Sequence, residues 1–598
     1  MNFYTDEPEW KWMFKNAIDW KTILPMYYPE FPTEDGIQNE EELIGFFEEL
    51  LTQIGDWTGN TLYQRAEELD RVGAGEVKDG RTIPSEPLEK TYKEALELGF
   101  HSLGLPKQWG GMGLPPAVGG IGLSGLARAC GSSMVQLSFY GSIAEMINRF
   151  GDQEDKERLI PKIMNGELSG AMCITEPGFG SDVGSITTTA TKRDDGLYDI
   201  NGSKIFITNG GGGVQLVLAK IKDQIKDKDP NDPRQRLLGL KEISMFLVEQ
   251  DHPLKEGNNF HVAKNEDKMG LHGSFTCEIV YENSVGKLMG EPNQGFTYML
   301  HLMNAARLVC GVQALGGIEN CLAYVRQYAH DREQFGKRLI DLPLYKRNLT
   351  DWETERDALR AFVVDTFNQF DVHQYYDLKQ RSQGELTKEE KKAYEEAKIW
   401  TRKRTPLLKY YATEAFTSLS QKAIQALGGY GFIRDYPMER LHRDSFAPLL
   451  YEGTSQIQAL MTLKDLLKYA MNDPKRFMAN IFFNHPGKDI LGGSSKWEED
   501  FTSRHYRFKK RLLKLLYEKL DPPKSFKVFD FEGWVNEERI GHLMEHAETL
   551  CQASAYFEVM RVLAAHANKD EQRADLYFRY SRLVDSRLEA IYRDWVVR

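Results

Sequence analysis

The chain has 598 residues, of which 41% are hydrophobic and 27% are charged, and its formal net charge is −12. This length allows three or four domains with buried cores. The acidic balance provides no global basic field for a nucleic-acid backbone, so we expect no nucleic-acid partner. The N-terminus has neither the basic start of a secretory signal nor the arginine-rich pattern of a transit peptide, and no apolar run is expected to span a membrane. We therefore expect a cytoplasmic protein.

Cysteine usage points to a reducing compartment and to no metal site. The six cysteines are Cys130, Cys173, Cys277, Cys310, Cys321 and Cys551. They show neither a Cys-x-x-Cys pair nor a Cys/His spacing suited to zinc. We expect reduced thiols in apolar surroundings.

The first 168 residues are predicted to form an N-terminal helical domain. Apolar residues recur at three- and four-residue spacing in 41–57, 86–98 and 121–150, which predicts amphipathic helices. A glycine-rich stretch at 104–113 is predicted to be a loop.

Residues 169–294 are predicted to form a middle β-barrel-like domain. Alternating and β-branched runs occur at 187–191, 216–221, 244–249 and 276–281, separated by Gly, Asn and Asp turns. Helical periodicity returns in 297–330, 344–370, 388–427 and 454–471, which predicts a C-terminal helical bundle over 295–473. The charge-dense stretch 375–396 is predicted to be a solvated hairpin or helix extension. The fold class is α+β, multi-domain.

The last 125 or so residues, 474–598, are predicted to form an additional helical domain. Its first amphipathic segment has an apolar stripe surrounded by basic residues. The stripe consists of Phe508, Leu512, Leu515, Leu516 and Leu520, and the basic residues are Arg507, Lys509, Lys510, Arg511 and Lys514. Basic amphipathic helices can lie on anionic membranes. A stripe of this width is typical of a core-facing helix, so we favour docking against protein over membrane contact.

One carboxylate stands out at the start of a predicted helix. Glu452 lies in a Tyr-Glu-Gly-Thr turn at 451–454. In isolation such a glutamate is more often a surface residue that caps the helix beginning near Ser455. Four further segments change that interpretation: ITEPGFGSD at 174–182, NGSKIFITN at 201–209, REQFG at 332–336 and QALGGYG at 425–431.

In this order and spacing the five segments closely resemble the acyl-CoA dehydrogenase family of flavoproteins. The resemblance covers roughly residues 40–470. It implies FAD as cofactor and an acyl-CoA as substrate. Glu452 would remove the α-proton while the flavin accepts the β-hydride, which introduces a trans-2,3 double bond. Electrons would pass to an electron-transferring flavoprotein, within fatty acid β-oxidation and lipid metabolism.

The resemblance also assigns the remaining site residues. The implied FAD contacts are Thr175, Gly180, Ser181, Phe206, Thr208, Arg332, Gln334, Phe335, Gln425, Gly428, Gly429, Thr454 and Gln456. The implied substrate contacts are Ser181, Asn304, Arg307 and Gly453. Gln425 and its glycines match a segment that reaches the FAD of a neighbouring subunit, which implies a homodimer or a dimer of dimers.

Two positions depart from the family pattern. Phe206 stands where the family commonly has Trp, and Leu342-Pro343 stands where many members have a glutamine that touches the cofactor. A role for Arg307 as a buried structural partner is equally compatible with the sequence.

The helical tail and the charged insertion resemble a long bacterial subgroup that includes broad-range fatty acyl-CoA and 3-methylthiopropanoyl-CoA dehydrogenases. The sequence leaves two other functions open: an acyl-CoA oxidase that uses oxygen, and a non-dehydrogenating DNA-associated or scaffold flavoprotein.

Overall fold

A computed structural model describes residues 1–226, 238–472, 494–520 and 537–597. The chain forms two compact units. Unit 1 comprises Met1–Glu7, Lys21–Val309 and Gln374–Lys388, and unit 2 comprises Pro8–Trp20, Cys310–His373 and Glu389–Arg598.

Eight α-helices precede the main sheet in the chain. They are α1 (Pro8–Trp12), α2 (Trp20–Tyr27), α3 (Glu40–Trp57), α4 (Tyr63–Val72), α5 (Glu86–Glu97), α6 (Pro116–Ala129), α7 (Gly131–Phe150) and α8 (Gln153–Met164). The α3 helix begins where the Asn39 side chain accepts a hydrogen bond from the Glu42 N–H and three glutamates follow in the first turn. The predicted single helix at 121–150 is interrupted, because Cys130 adopts an extended conformation between α6 and α7.

The middle of unit 1 is a closed small barrel. The short hairpin β1 (Gly75–Lys78) and β2 (Arg81–Pro84) precedes it. The strands of the barrel are β3 (Ser169–Cys173), β4 (Thr189–Lys192), β5 (Tyr198–Thr208), β6 (Gly213–Ile221), β7 (Ile243–Glu249), β8 (His261–Asn265) and β9 (Thr276–Leu288). The strand order is β3-β6-β4-β5-β9-β7, β8 pairs with β9, and an additional β6–β7 pairing closes the sheet. Residues in β6 are almost all buried, as expected for a central strand.

Long helices and short connecting elements follow the barrel. They are α9 (Gly295–Asp331), the strands β10 (Glu333–Gln334) and β11 (Lys337–Arg338), then α10 (Pro343–Gln383), α11 (Lys388–Leu427), α12 (Met438–Ser445), α13 (Ala447–Leu450) and α14 (Ser455–Asn472). The tail contributes α15 (Lys496–Leu520), α16 (Glu537–Met544), α17 (Ala547–Lys569) and α18 (Ala574–Val597). The helical and barrel parts and the extra C-terminal helices confirm the predicted fold class.

The apolar stripe of α15 is buried. All five of its residues, Phe508 to Leu520, lie in the core, and α15 packs against α16, α17 and α18. On the polar side, Arg507 pairs with Glu589 at 2.6 Å. The predicted docking against protein is therefore confirmed.

The N-terminal segment 8–20 belongs to unit 2, where it packs against the C-terminal helices. The Trp12 indole N–H donates to Asp570 at 2.9 Å, and Arg573 binds the Glu9 carboxylate. The Trp12 ring also lies 5.0 Å from the His566 ring. The predicted boundaries at residues 168 and 294 stay predictions, and the boundary at 473 lies outside the described residues.

One helix is longer and more apolar than the sequence led us to expect. Within the described residues, α9 is long and apolar enough to cross a membrane by length and composition alone, but 83% of its apolar window is buried inside the protein. That burial is typical of a core helix. All six cysteines are free and buried, as predicted.

Two histidines of the C-terminal helices make the stability of unit 2 depend on pH. Burial lowers the pKa of His505 from 6.5 to about 3, and the neighbouring Lys509 ammonium acts in the same direction. Burial likewise lowers the pKa of His566 to about 3. Both side chains are therefore neutral in the folded protein, whereas the unfolded chain takes up protons as the pH falls below their ordinary pKa.

We expect the free energy of unfolding to fall between about pH 7 and about pH 5.5, by about 1.3 kcal/mol for each histidine. The carboxylates barely titrate in this window. The variant His505→Phe keeps an aromatic ring between Phe501 and Phe557 and should lose part of this pH dependence in urea titrations. An unchanged pH dependence would contradict this assignment.

Candidate active site

Glu452 lies in a strained turn between α13 and α14. Its backbone φ is 58° and that of Gly453 is 89°. A left-handed conformation is ordinary for glycine but costs about 1–3 kcal/mol for a residue with a side chain. Such conformations persist only where the surroundings hold them, and they cluster at functional sites.

Three helices of unit 2 hold this turn. From α14, the Gln458 side-chain amide donates to the Glu452 carbonyl at 3.1 Å and to the Gly453 carbonyl at 2.8 Å. From α11, the Lys409 ammonium donates to the Gly453 carbonyl at 2.7 Å. The Tyr451 hydroxyl donates to the Gln313 side-chain oxygen on α9. The turn is therefore fixed from three directions.

Thr454 caps the helix that follows Glu452. The α14 helix begins at Ser455, and the Thr454 hydroxyl accepts a hydrogen bond from the Ile457 N–H at 3.4 Å. Thr454 therefore provides the N-terminal cap, and Gln456 lies exposed in the first turn. Burial raises the pKa of the adjacent Tyr451 well above its usual value, and the neighbouring Cys310 and Glu452 side chains act in the same direction.

In unit 1 the predicted flavin loop follows β3. Glu176 and Phe179 pair across a tight turn with Pro177 and Gly178 at its centre, and the φ of 93° at Gly178 fits the third position of a type II turn. Gly180 and Ser181 are exposed beyond this turn. The Thr175 carbonyl accepts a hydrogen bond from the Ile205 N–H at 2.9 Å, so the loop lies beside the end of β5.

Phe206 lies at an irregularity in β5. The pairing of β5 with β9 shifts register between Lys204 and Ile207, and Phe206 itself has a φ of 60°. A bulge of this kind redirects a side chain out of the regular alternation. The Phe206 ring is 61% exposed, and Thr208 follows at the end of the strand. The structure thus places Thr175 beside the segment of β5 that carries Phe206 and Thr208.

A buried ion pair ties the flavin loop to β5. The Lys204 ammonium lies 2.8 Å from the Glu176 carboxylate and donates to the Ile174 carbonyl at 3.0 Å. Glu176 also accepts hydrogen bonds from the N–H and hydroxyl groups of Thr187 and Thr188. Burial raises the pKa of Glu176, but Lys204 and these hydrogen bonds outweigh it and bring it to about 2. Both charges are therefore kept inside the barrel domain.

Asn304 and Arg307 also come together in unit 1. Arg307 is buried on α9, and its guanidinium donates to the Asn304 side-chain oxygen at 3.2 Å. This contact fits either role left open by the sequence, as a substrate contact or as a structural partner.

The predicted adenine-side residues meet in unit 2. Phe335 and Gly336 form the two-residue turn between β10 and β11, with φ values of 55° and 72°, as in a type I′ hairpin. Phe335 is 91% exposed. The Arg332 guanidinium lies 5.9 Å from the centre of the Tyr430 ring. Tyr430 follows directly after Gly428 and Gly429, and Gln425 is exposed on the preceding turn of α11.

Comparison with known proteins places this geometry in a family. Models of the acyl-CoA dehydrogenase N-terminal, middle and C-terminal domains match residues 49–167, 171–284 and 293–467. An acyl-CoA dehydrogenase of Bacillus subtilis is 32% identical over 394 residues, which cover 64% of this chain and 93% of that protein. The chain belongs to the acyl-CoA dehydrogenase family. It is an oxidoreductase family whose cofactor is FAD, so the predicted class of enzyme and its cofactor are confirmed.

Two further relatives show the breadth of this likeness. The CarC subunit of the caffeyl-CoA reductase–Etf complex from Acetobacterium woodii is 31% identical over 66% of this chain and 92% of that protein. The structure of an acyl-CoA dehydrogenase from Bacillus anthracis complexed with FAD has a TM-score of 0.73 and 22% identity, and covers 92% of this chain and 88% of that one. It shares the fold over nearly the whole chain.

The residues present suit the cofactor of an acyl-CoA dehydrogenase. Gly178 and Gly180 have open space where a side chain would begin, so backbone N–H groups of this loop can be approached closely. Phe206 offers an exposed ring beside that loop. Arg332 is an exposed cation with no ion-pair partner among the described residues, and arginine suits a pyrophosphate.

The residues that hold these segments in place are absent from the predicted site. Lys409, Gln458, Gln313 and the Glu176–Lys204 pair carry no role in the predicted site. A signal did exist for two of them, because Lys204 lies in an alternating strand and Lys409 follows two leucines in a predicted helix. A lysine in an apolar run requires a buried partner.

We expect Glu176→Gln to lower the thermal stability and loosen FAD, because Lys204 then stays buried without its counter-charge. Breaking a buried pair typically costs about 3–5 kcal/mol. The matched double variant Glu176→Gln/Lys204→Met removes both charges and should be more stable than the single variant. Melting temperature and flavin retained on a sizing column measure the effect, and a double variant less stable than Glu176→Gln would contradict it.

Proposed function

We propose that this chain is an FAD-dependent acyl-CoA dehydrogenase that introduces a trans-2,3 double bond into an acyl-CoA in fatty acid β-oxidation. The observation that carries the proposal is the left-handed turn at Glu452, held by side chains from three helices. A carboxylate whose backbone is strained and fixed in this way is suited to proton abstraction from a bound substrate.

Glu452 is the base in this proposal. A carboxylate that removes a weakly acidic proton must lie within hydrogen-bond reach of that carbon, and its orientation is set by the backbone that carries it. The peptide groups of Glu452 and Gly453 lie in the same turn, so an N–H of this turn can polarise the thioester carbonyl as negative charge develops. Bound FAD supplies the acceptor for the β-hydride.

The protein acceptor is proposed to be an electron-transferring flavoprotein. The name of the caffeyl-CoA reductase–Etf complex links one 31% identical relative to such a partner. That relative is named a reductase, and the same proton and hydride transfers can run in either direction, so the electron carrier decides which direction operates. We further propose that the enzyme is a homo-oligomer, since Phe335 and Phe432 are 91% and 85% exposed near the predicted FAD contacts of unit 2. A cytoplasmic location is part of the same proposal.

Replacing the base by its amide tests the central assignment. We expect Glu452→Gln to retain FAD while anaerobic bleaching of the flavin by an acyl-CoA slows by about 10²–10⁴-fold, because shape is kept and basicity is lost. A panel of acyl-CoA thioesters should be used with the parent enzyme to find the substrate. The control Asp465→Asn removes a carboxylate of α14 that pairs with Arg402 of α11 and should bleach at the parental rate. Bleaching of Glu452→Gln at the parental rate would refute the role of Glu452.

The electron acceptor separates a dehydrogenase from an oxidase. After anaerobic reduction by substrate, we expect the flavin to be reoxidised quickly by an electron-transferring flavoprotein and slowly by air. Peroxide formed at a rate matching substrate turnover in air would instead identify an acyl-CoA oxidase.

A further inference from the structure

Lys409 is a charged side chain in the core of unit 2. It lies on α11 between Leu408 and Tyr410, and its exposure is 0%. Burying an ammonium group costs several kcal/mol unless hydrogen bonds compensate for the lost water. The position of those hydrogen bonds therefore indicates what the buried charge holds in place.

The Lys409 hydrogen bonds bracket the proposed base. Its ammonium donates to the Pro448 carbonyl at 2.9 Å and to the Gly453 carbonyl at 2.7 Å. Pro448 lies four residues before Glu452 in the short helix α13, and Gly453 is the next residue after it. One cation thus joins the two ends of the segment that carries the carboxylate.

The neutral side chain of Gln458 does not make the connection that Lys409 makes between Pro448 and Gly453. Gln458 also binds the Gly453 carbonyl, but its amide otherwise donates to the Glu452 carbonyl, so it fixes the turn to α14. Lys409 fixes the same turn to α13 and α11. Hydrogen bonds from an ammonium are about twice as strong as those between neutral groups, and they oppose the relaxation of a residue held at a φ of 58°.

We propose that Lys409 is a positioning residue that sets the place of the Glu452 carboxylate through the carbonyls of Pro448 and Gly453. The inference rests on the proposed role of Glu452 as the base. Loss of the ammonium lets the turn relax, so the carboxylate moves relative to the α-carbon of the substrate. A displacement of about 1 Å at a reacting group can cost about 100-fold in rate.

The test compares three variants in anaerobic single-turnover experiments with an acyl-CoA that bleaches the parent flavin. Lys409→Met keeps the length of the side chain and removes every donor. Lys409→Gln keeps neutral donors. Lys422→Met is the matched control, because Lys422 is a half-buried lysine on the same helix α11 whose charge interacts with Glu355 and Arg587.

For Lys409→Met we expect the limiting rate of flavin bleaching to fall about 100-fold, with FAD content and the substrate concentration at half-saturation within about 2-fold of the parent. Lys409→Gln should recover part of that rate. Lys422→Met should bleach at the parental rate, even where its melting temperature falls. A structural role alone would lower stability and FAD content without this selective loss of rate.

Parental bleaching rates in Lys409→Met would overturn the inference. A loss of FAD or of substrate affinity in step with the loss of rate, in both Lys409 variants, would overturn it too and leave Lys409 as a structural residue. If Lys409→Met does not fold, the limiting rate and half-saturation of Lys409→Gln decide between the same outcomes. Failure of the parent to be bleached by any acyl-CoA would instead refute the proposed function, so the two failures are distinct.

Discussion

The site in unit 2 depends on the tethering of one backbone turn. Glu452 and Gly453 both have positive φ, a conformation that the chain adopts only because neighbouring helices supply hydrogen bonds to its carbonyls. These bonds come from α11 and α14, and a third contact links Tyr451 to α9. The position of the carboxylate is therefore a property of the helical bundle, and helix packing at a distance can change it without touching Glu452.

Buried side chains also hold backbone carbonyls in unit 1. Lys204 and Lys220 are buried lysines of the barrel, and each donates to a backbone carbonyl in a loop close to the predicted flavin contacts, at Ile174 and Gly184. In unit 2, Lys409 likewise donates to a backbone carbonyl, that of Gly453 in the turn that carries Glu452. Because a buried ammonium is costly unless its donors are satisfied, each lysine restricts the loop to conformations that present those carbonyls. Buried lysines here fix the geometry of segments that lie outside regular strands and long helices.

Much of the fold was predictable because local periodicity and motif spacing agree with it. The helices α3, α5 and α11 lie within one residue of their predicted limits. The short β1–β2 hairpin and the break at Cys130 were missed, since four-residue strands and single extended residues leave no periodicity. The contact of Trp12 with Asp570 joins residues 558 positions apart, and no local pattern encodes such a pair. The lysine after two leucines at position 409 indicated a buried partner, but the sequence does not show that the partners are the carbonyls of Pro448 and Gly453.

The C-terminal extension has a physical link to the base. Its helix α17 packs against α14, the helix that begins three residues after Glu452. The contact includes the Thr462 hydroxyl, 3.5 Å from the Cys551 sulfur. Helix α17 is in turn covered by α15, whose apolar stripe is buried, so the stripe contributes to a protein core and is not presented to a lipid surface. Since α14 carries Gln458, which holds the carbonyls of the turn, the extension stabilises the helix on which the position of the base depends.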